Sequence, residues 1–320
     1  MTIEKILAAA LAGQPLTGEE ALALLHIENI SADFHKLLSV ANQLTRREFQ
    51  NRAYIFAQIG INAEPCSKNC KFCSMGENHY AMESTWQKDY KAISAEVDSL
   101  IQTGIDDLFL MTTADYSIEN FLDIGEKVRR QLPEKVKFVA NIGDFDETVA
   151  LKLKQAGFTG VYHIHRLREG IDTDIEPETR IKTLEAIRAV DLDLYYCVEP
   201  IGPEHSYQEL IDEMLRAREY DVKVMAVMRR IPVPGTPLKH KGQITALELA
   251  KIAAVTRMVT VPSRAMNTHE VTPLTLLGGV NQLYAEVGAN PRDSHSITEK
   301  NRGVSVMTIR KLLEDAEYDL

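Results

Sequence analysis

The sequence predicts an α/β protein, a closed (β/α)8 barrel of the TIM type with an N-terminal helical extension, and three observations lead there. From about residue 53, short β-rich runs alternate with amphipathic helical runs, the pattern of a parallel sheet with crossover helices. Eight β-rich runs can be counted, the number that closes such a barrel. The chain has 320 residues, 45% of them hydrophobic, so it can bury one large core without dividing into two.

The elements follow in order. Residues 1–50 read as an all-helical lead-in, with Thr17 and Glu20 at the spacing of a capping box. This extension is expected to brace the barrel, which takes residues 51–320. Strands are expected at 53–63, 107–112, 136–142, 160–165, 192–198, 222–228, 262–267 and 290–294. The helices between and after them fall at 94–103, 118–131, 147–155, 178–189, 207–218, 246–258, 274–287 and 305–316. Gly104 and Gly157 stand where left-handed caps would end two of these helices. The chain carries no repeat that would suggest a solenoid.

Charge and composition exclude several classes of function. Acidic residues outnumber basic ones, 46 to 36, and the net charge of −10 comes with no basic tract. Nucleic acid would meet repulsion, and a small-molecule substrate is expected instead. No apolar run approaches the roughly 18 residues of a membrane span, and no signal peptide is evident. Unpaired thiols belong in a reducing cytoplasm.

Three of the four cysteines lie within eight residues, as Cys66-x3-Cys70-x2-Cys73. Thiolates are soft ligands suited to iron–sulfur clusters, and a cubane normally takes four of them. Three on one short loop imply a 4Fe–4S cluster with one corner left for a small molecule. Structural zinc would need a fourth ligand from a second Cys or His pair, and only His79 is near. A disulfide framework belongs to small secreted chains. The loop follows the first expected strand, and barrel active sites gather on loops after the strand C-termini.

The C-x3-C-x2-C pattern, with aromatic Phe72 before its last cysteine, resembles the signature of the radical S-adenosylmethionine (SAM) superfamily. Ile231-Pro-Val-Pro-Gly-Thr-Pro-Leu238 and Gly288-Ala-Asn290 are similar to segments of its biotin synthase-like branch. That branch includes biotin synthase, the radical maturase of iron-only hydrogenase, methylornithine synthase and the radical enzyme of guanylylpyridinol-cofactor assembly. The resemblance implies that Cys66, Cys70 and Cys73 hold a 4Fe–4S cluster and that SAM completes it. It further implies reductive cleavage of SAM to a 5′-deoxyadenosyl radical, with flavodoxin or ferredoxin as electron donor. The radical would act on a small organic substrate, in cofactor biosynthesis or amino-acid rearrangement.

The same resemblance distributes roles over the chain. Arg180 matches an arginine that grips the SAM carboxylate, a partner its forked guanidinium suits. Asp115, in Thr112-Thr-Ala-Asp115, stands where relatives receive the methionine amino group. In His163-Ile-His165-Arg-Leu-Arg-Glu169, His165 and Glu169 occupy the place of ribose- and SAM-binding residues. Glu199 lies in the segment set against adenine, while Phe72 and Asn141 complete the cofactor-binding set. Arg229, Arg230, Asn267 and His269 are expected to line the substrate cavity, where several arginines would favour a carboxylate-bearing substrate.

Cys197 is the catalytic candidate, as a hydrogen donor to a substrate radical, although free cysteine also packs as a buried apolar residue. In biotin synthase a cysteine after the fifth strand helps hold a sulfur-donating second cluster, and Cys197 and Arg264 fit two of that cluster's positions. The remaining ligands are missing, so sulfur insertion of the biotin synthase type stands as an alternative. A non-catalytic iron–sulfur binding or sensing protein is the alternative from another class, and it would need a fourth protein ligand such as His79.

Overall fold

In the computed structural model, which describes residues 2–287, 290, 294–295 and 303–320, eight parallel strands close into a barrel. They are Tyr54–Gly60, Asp107–Met111, Lys137–Asn141, Gly160–Tyr162, Asp193–Ile201, Val224–Arg229, Ala265–Thr268 and Gln282–Val287. Each pairs with its neighbours in sequence, and the first closes the ring against the eighth, with Ala57 opposite Ala285 on one side and Leu108 on the other. Helices α1 (Ile3–Leu11), α2 (Gly18–Leu25) and α3 (Ala32–Glu48) precede the barrel. Around it run α4 (Tyr90–Thr103), α5 (Ile118–Gln131), α6 (Glu147–Gln155), α7 (Pro177–Ala189), α8 (Tyr207–Glu219), α9 (Ala246–Thr260), α10 (Leu274–Leu277) and α11 (Val306–Asp315).

Seven strands fall where alternation puts them, and the eighth does not. The expected helix over 274–287 stops after one turn, at Leu277, and Gln282–Val287 forms the closing strand. Gly278 and Gly279 end the helix, the latter at a φ of +88° that L side chains avoid. The following Gln-Leu-Tyr-Ala-Glu-Val alternates, as a strand must, with Tyr284 stacked on Phe56 of the first strand. The expected strand at 290–294 falls mostly outside the described residues, as do Gly288 and Ala289 of the Gly-Ala-Asn segment. The fourth strand also ends early, at Tyr162, which leaves His163 and His165 in the loop above it.

Interior side chains come from alternate positions and form layers. At the N-terminal end lies a polar floor, where Asp107 Oδ2 accepts from Arg264 at 2.6 Å and from Gln282 at 2.7 Å. Arg264 therefore sits at the opposite end of the barrel from the cysteine loop, which removes it from any cluster on the C-terminal side. Asn267 joins the same floor by donating to Gln282 at 2.7 Å. Above the floor Phe56 stacks on Phe109 with centroids 4.5 Å apart, and Tyr195 meets Phe109 edge-on at 5.2 Å. This packed lower half supports the side chains nearer the mouth.

Of the N-terminal helices, α3 lies across α9 and α10, α2 packs on α8 and α9, and α1 packs on α3. Thr17 and Glu20 do form the capping box that starts α2. Buried Arg257 of α9 donates to Thr45 Oγ1 of α3 at 3.0 Å and pairs with Glu48, while Thr45 Oγ1 donates to the Gly279 carbonyl at 2.8 Å. A Cβ on Gly279 would lie 2.6 Å from the Ala41 carbonyl oxygen. Close approach and positive φ together predict that Gly279→Ala destabilises the fold by about 1–3 kcal/mol, which urea denaturation would measure.

Candidate functional site

The cysteine loop is held in shape by its own backbone and by two neighbouring loops. Cys66 N–H donates to the Met75 carbonyl at 2.7 Å, and Glu77 N–H returns to the Cys66 carbonyl at 3.0 Å. Asn69 takes a left-handed turn at φ +45° and donates to Asp174 at 2.9 Å. Lys71 N–H reaches the Asp172 carbonyl at 2.9 Å, which ties the loop to the segment after the fourth strand. His79 Nε2 lies 3.1 Å from the carbonyl oxygens of both Cys70 and Cys73. A Cβ at Gly76 would strike that ring at 2.4 Å, so glycine is what lets the imidazole lie there.

The three thiols face a cavity at the C-terminal mouth of the barrel that holds about 1280 Å³, its open mouth included. Its deep wall is aromatic, with Phe56, Phe109, Tyr162 and Tyr284. Its rim is polar, with Phe72, Asn141 and Arg180 of the expected set on it, and Glu199 lines the cavity below them. Tyr195, Cys197 and Glu199 alternate inward along the fifth strand, and the register with the sixth shifts between Val198 and Ile201.

The electrostatics of the rim centre on two arginines. Arg180 donates from Nε to Glu169 Oε2 at 3.0 Å and from a terminal nitrogen to Asp144 Oδ1 at 3.1 Å. Arg166, between His165 and Glu169 and not among the expected site residues, is half-buried beside Phe72, with its Nε lacking a hydrogen-bond partner among the described residues. Burial pulls its guanidinium down, but Cys70, Glu169 and Glu199 outweigh that and hold it firmly charged. Burial likewise pushes the Glu169 carboxyl up, yet Arg166 and Arg180 keep it below its ordinary range. A side chain flanked by charged neighbours carries no periodic signature, and only the end of the fourth strand decides which of these residues turns inward.

Several expected site residues are placed elsewhere. Asp115 accepts from Ser67 N–H at 2.6 Å and from Ser67 Oγ at 2.7 Å, so both oxygens are spent on the cysteine loop. His165 Nδ1 lies 2.7 Å from Glu213 of α8, between the barrel wall and the helix layer, because the strand ends before it and the chain turns outward. Glu169 is wholly buried and positions Arg180 without reaching the cavity. Arg229 lies outside the cavity lining and is bidentate to Glu270, whereas Arg230 and His269 do line the cavity as expected, Arg230 being bidentate to Glu204. The charge of both arginines is neutralised locally, so they lend no support to a carboxylate substrate. Cys197 is fully buried one layer beneath the rim, under Tyr162, Glu199 and His269, and outside the cavity lining.

The residues fit an iron–sulfur cluster. Burial pushes the Cys70 thiol up to about 11, against the pull of Arg166 and Arg180, and pushes Cys73 higher still. Such sulfurs become thiolates when a metal shares their charge. Met75 N–H already points at Cys73 Sγ from 3.4 Å, the kind of amide donor that tunes a bound cluster. All four cysteines are free of disulfides.

His163 makes the rim sensitive to pH. It lies 3.3 Å from Asp144, and burial lowers its pKa to about 4, against the attraction of Asp144. The unfolded chain protonates first, near pH 6.5. Stability is therefore full above that value and lost as pH falls from about 6.5 to 4, by at most about 3 kcal/mol. Urea titrations at pH 7.5 and 5 should show a shallower pH dependence for His163→Gln than for the native chain.

No family model matches the sequence. The chain is 27% identical over 287 residues to a biotin synthase of Desulforudis audaxviator, covering 85% of this chain and 86% of that one. It is also 27% identical over 252 residues to a biotin synthase of Clostridioides difficile, covering 75% and 76%. Among solved structures, methylornithine synthase (PylB) superposes with a TM-score of 0.83 at 16% identity, over 98% of this chain and 95% of that one. HydG, a maturase of the [FeFe]-hydrogenase, superposes with a TM-score of 0.81 at 17% identity, over 98% and 74%. Among the described residues no helix is long and apolar enough to cross a membrane.

Proposed function

We propose that this chain, an enzyme of the biotin synthase-like branch of the radical SAM superfamily, holds a 4Fe–4S cluster on Cys66, Cys70 and Cys73 and cleaves SAM beside it. The observation that carries the reading is the convergence of those three thiols, Arg166 and Arg180 on one cavity at the C-terminal mouth of a closed barrel. When bound, the cluster and SAM supply one-electron reductive cleavage to methionine and a 5′-deoxyadenosyl radical.

The chain's own residues do the rest. Arg180, locked by Glu169 and Asp144, presents its remaining edge to a carboxylate. Arg166 adds positive charge that also acts on Cys70. Asn141 offers a polar group for the nucleoside end of SAM. The aromatic wall of Phe56, Phe109, Tyr162 and Tyr284 keeps water from the lower chamber, where a small organic substrate fits. The substrate belongs to cofactor biosynthesis or amino-acid rearrangement, and a reduced flavodoxin or ferredoxin is the fitting electron donor. The enzyme works in the reducing cytoplasm.

Sulfur insertion is the weaker reading, because Cys197 is the one cysteine outside the loop and Arg264 lies on the polar floor. A sensing protein with a fully ligated cluster is also less supported, since the His79 ring is turned to two backbone carbonyls. Anaerobic reconstitution with iron and sulfide, followed by dithionite and SAM, tests the proposal. Accumulation of 5′-deoxyadenosine is expected, and its absence from protein with a full cluster would defeat the reading.

A further inference from the structure

Inside the barrel, below the rim, a cysteine, a carboxylate and an imidazole converge. Cys197 and Glu199 project inward from the fifth strand, and His269 follows the seventh. One ligand atom from each lies within 4.8 Å of the others, and Glu199 Oε2 is 3.8 Å from His269 Nδ1. Tetrahedral zinc, with bonds of about 2.0–2.3 Å, holds its ligand atoms about 3.3–3.8 Å apart. Shifts of about an ångström at three side chains would close that geometry.

We infer that Cys197, Glu199 and His269 form a second metal site, distinct from the cysteine loop, for a single divalent ion of the zinc or ferrous type. The donor set is the reason for that class: a thiolate and an imidazole suit borderline ions and reject magnesium or calcium, which want oxygen. Charge supports it as well. Burial and Glu199 keep the Cys197 thiol protonated, and a dication that displaced its proton would share the charge of both thiolate and carboxylate, with Arg166 3.7 Å from Glu199. The group is ringed by aromatic side chains, and the Tyr162 hydroxyl reaches into it, 3.5 Å from His269 Nδ1. The imidazole lies against Tyr162, Phe56 and Tyr284, with ring centroids 5.1, 5.9 and 5.7 Å away.

Glu199 and His269 line the cavity, whereas Cys197 lies beneath it. The fourth coordination position thus faces the chamber, where it offers a Lewis-acid anchor for an amine, carboxylate or hydroxyl of the substrate. A ligated thiolate is no hydrogen donor, so this role replaces the catalytic one expected for Cys197.

Cobalt provides the test. In the full-length chain with Cys66, Cys70 and Cys73 all changed to alanine, Cys197 is the remaining thiol. Anaerobic titration with Co²⁺ alone should saturate at one ion per chain, with thiolate-to-cobalt absorption in the near ultraviolet. A further Cys197→Ser change should abolish that absorption, and His269→Ala should weaken binding by at least about tenfold. No stoichiometric binding in folded protein, or a spectrum unchanged by Cys197→Ser, overturns the site. Should the triple variant not fold, the reconstituted native chain is incubated with Zn²⁺ instead. One zinc per chain that Cys197→Ser lacks supports the site, and equal zinc in both defeats it. The cobalt readout needs neither cluster nor SAM, so its failure leaves the radical reading standing, and the reverse.

Discussion

Cys70→Ala should bring 5′-deoxyadenosine formation to background and iron content from about four per chain to near zero, while the fold hardly changes. Cys70 is the most enclosed by the rim charges, with Arg166 and Arg180 both acting on its sulfur. Removing that thiolate leaves two, too few to retain a cubane. The loop itself is held by backbone contacts to Met75, Asp172 and Asp174, none of which uses a thiol. Unfolding free energy measured without the cluster should therefore stay within about 0.5–1 kcal/mol of the native chain. Iron and sulfide counting, 5′-deoxyadenosine by chromatography and a urea titration decide the matter. A variant that still turned over SAM would show that the cluster is held some other way.

Arg180→Met is expected to be the most damaging single change at the rim. The guanidinium joins Glu169, whose side chain is wholly buried, to Asp144. Breaking a buried pair by removing one partner costs about 3–5 kcal/mol, because the charges left behind have lost their counter-ion. SAM affinity should fall too, since the same side chain is the proposed carboxylate clamp. Arg180→Lys should recover part of the stability and little of the affinity, because an ammonium keeps the charge without the fork.

The loss in Arg180→Met should depend on pH in a definite direction. Burial pushes Asp144 up, but His163 and Arg180 hold its folded pKa down at about 2, and Glu169 is also depressed. Depressed carboxyls contribute stability above their unfolded values, near 4, and lose it as pH falls toward 2. The gap between native chain and variant should narrow over that window. A gap of constant size would place the damage in packing and not in charge.

How far the site could be read in advance depended on the kind of signal. The cysteine loop was legible because its chemistry is written in local spacing, and the capping box at Thr17 and Glu20 for the same reason. Arg166 was not legible, since His163, His165, Arg166 and Glu169 are all polar and a strand ending three residues earlier changes which of them turns inward. The pairing of Arg229 with Glu270 and of Arg230 with Glu204 spans 41 and 26 residues, and no window of sequence brings such partners together. The eighth strand lies earlier than expected because the apolar run after Leu274 suits a helix as well as a strand, and the missing Cβ at Gly279 allows both the turn that ends the helix and the close approach of α3.

The sequence alone determined what is periodic or local: the alternation that makes a barrel, the lead-in of helices, and three thiols spaced for a metal. Tertiary structure decided what depends on closure. It put Arg264 on the floor and the cysteines at the mouth, turned His165 and Asp115 away from the cavity, and brought Cys197 and Glu199 of one strand to His269 beyond another. The physical reason is that spacing along the chain sets which residues are near neighbours, while direction inside a barrel is set by where each strand starts and stops, and that register is a property of the closed ring.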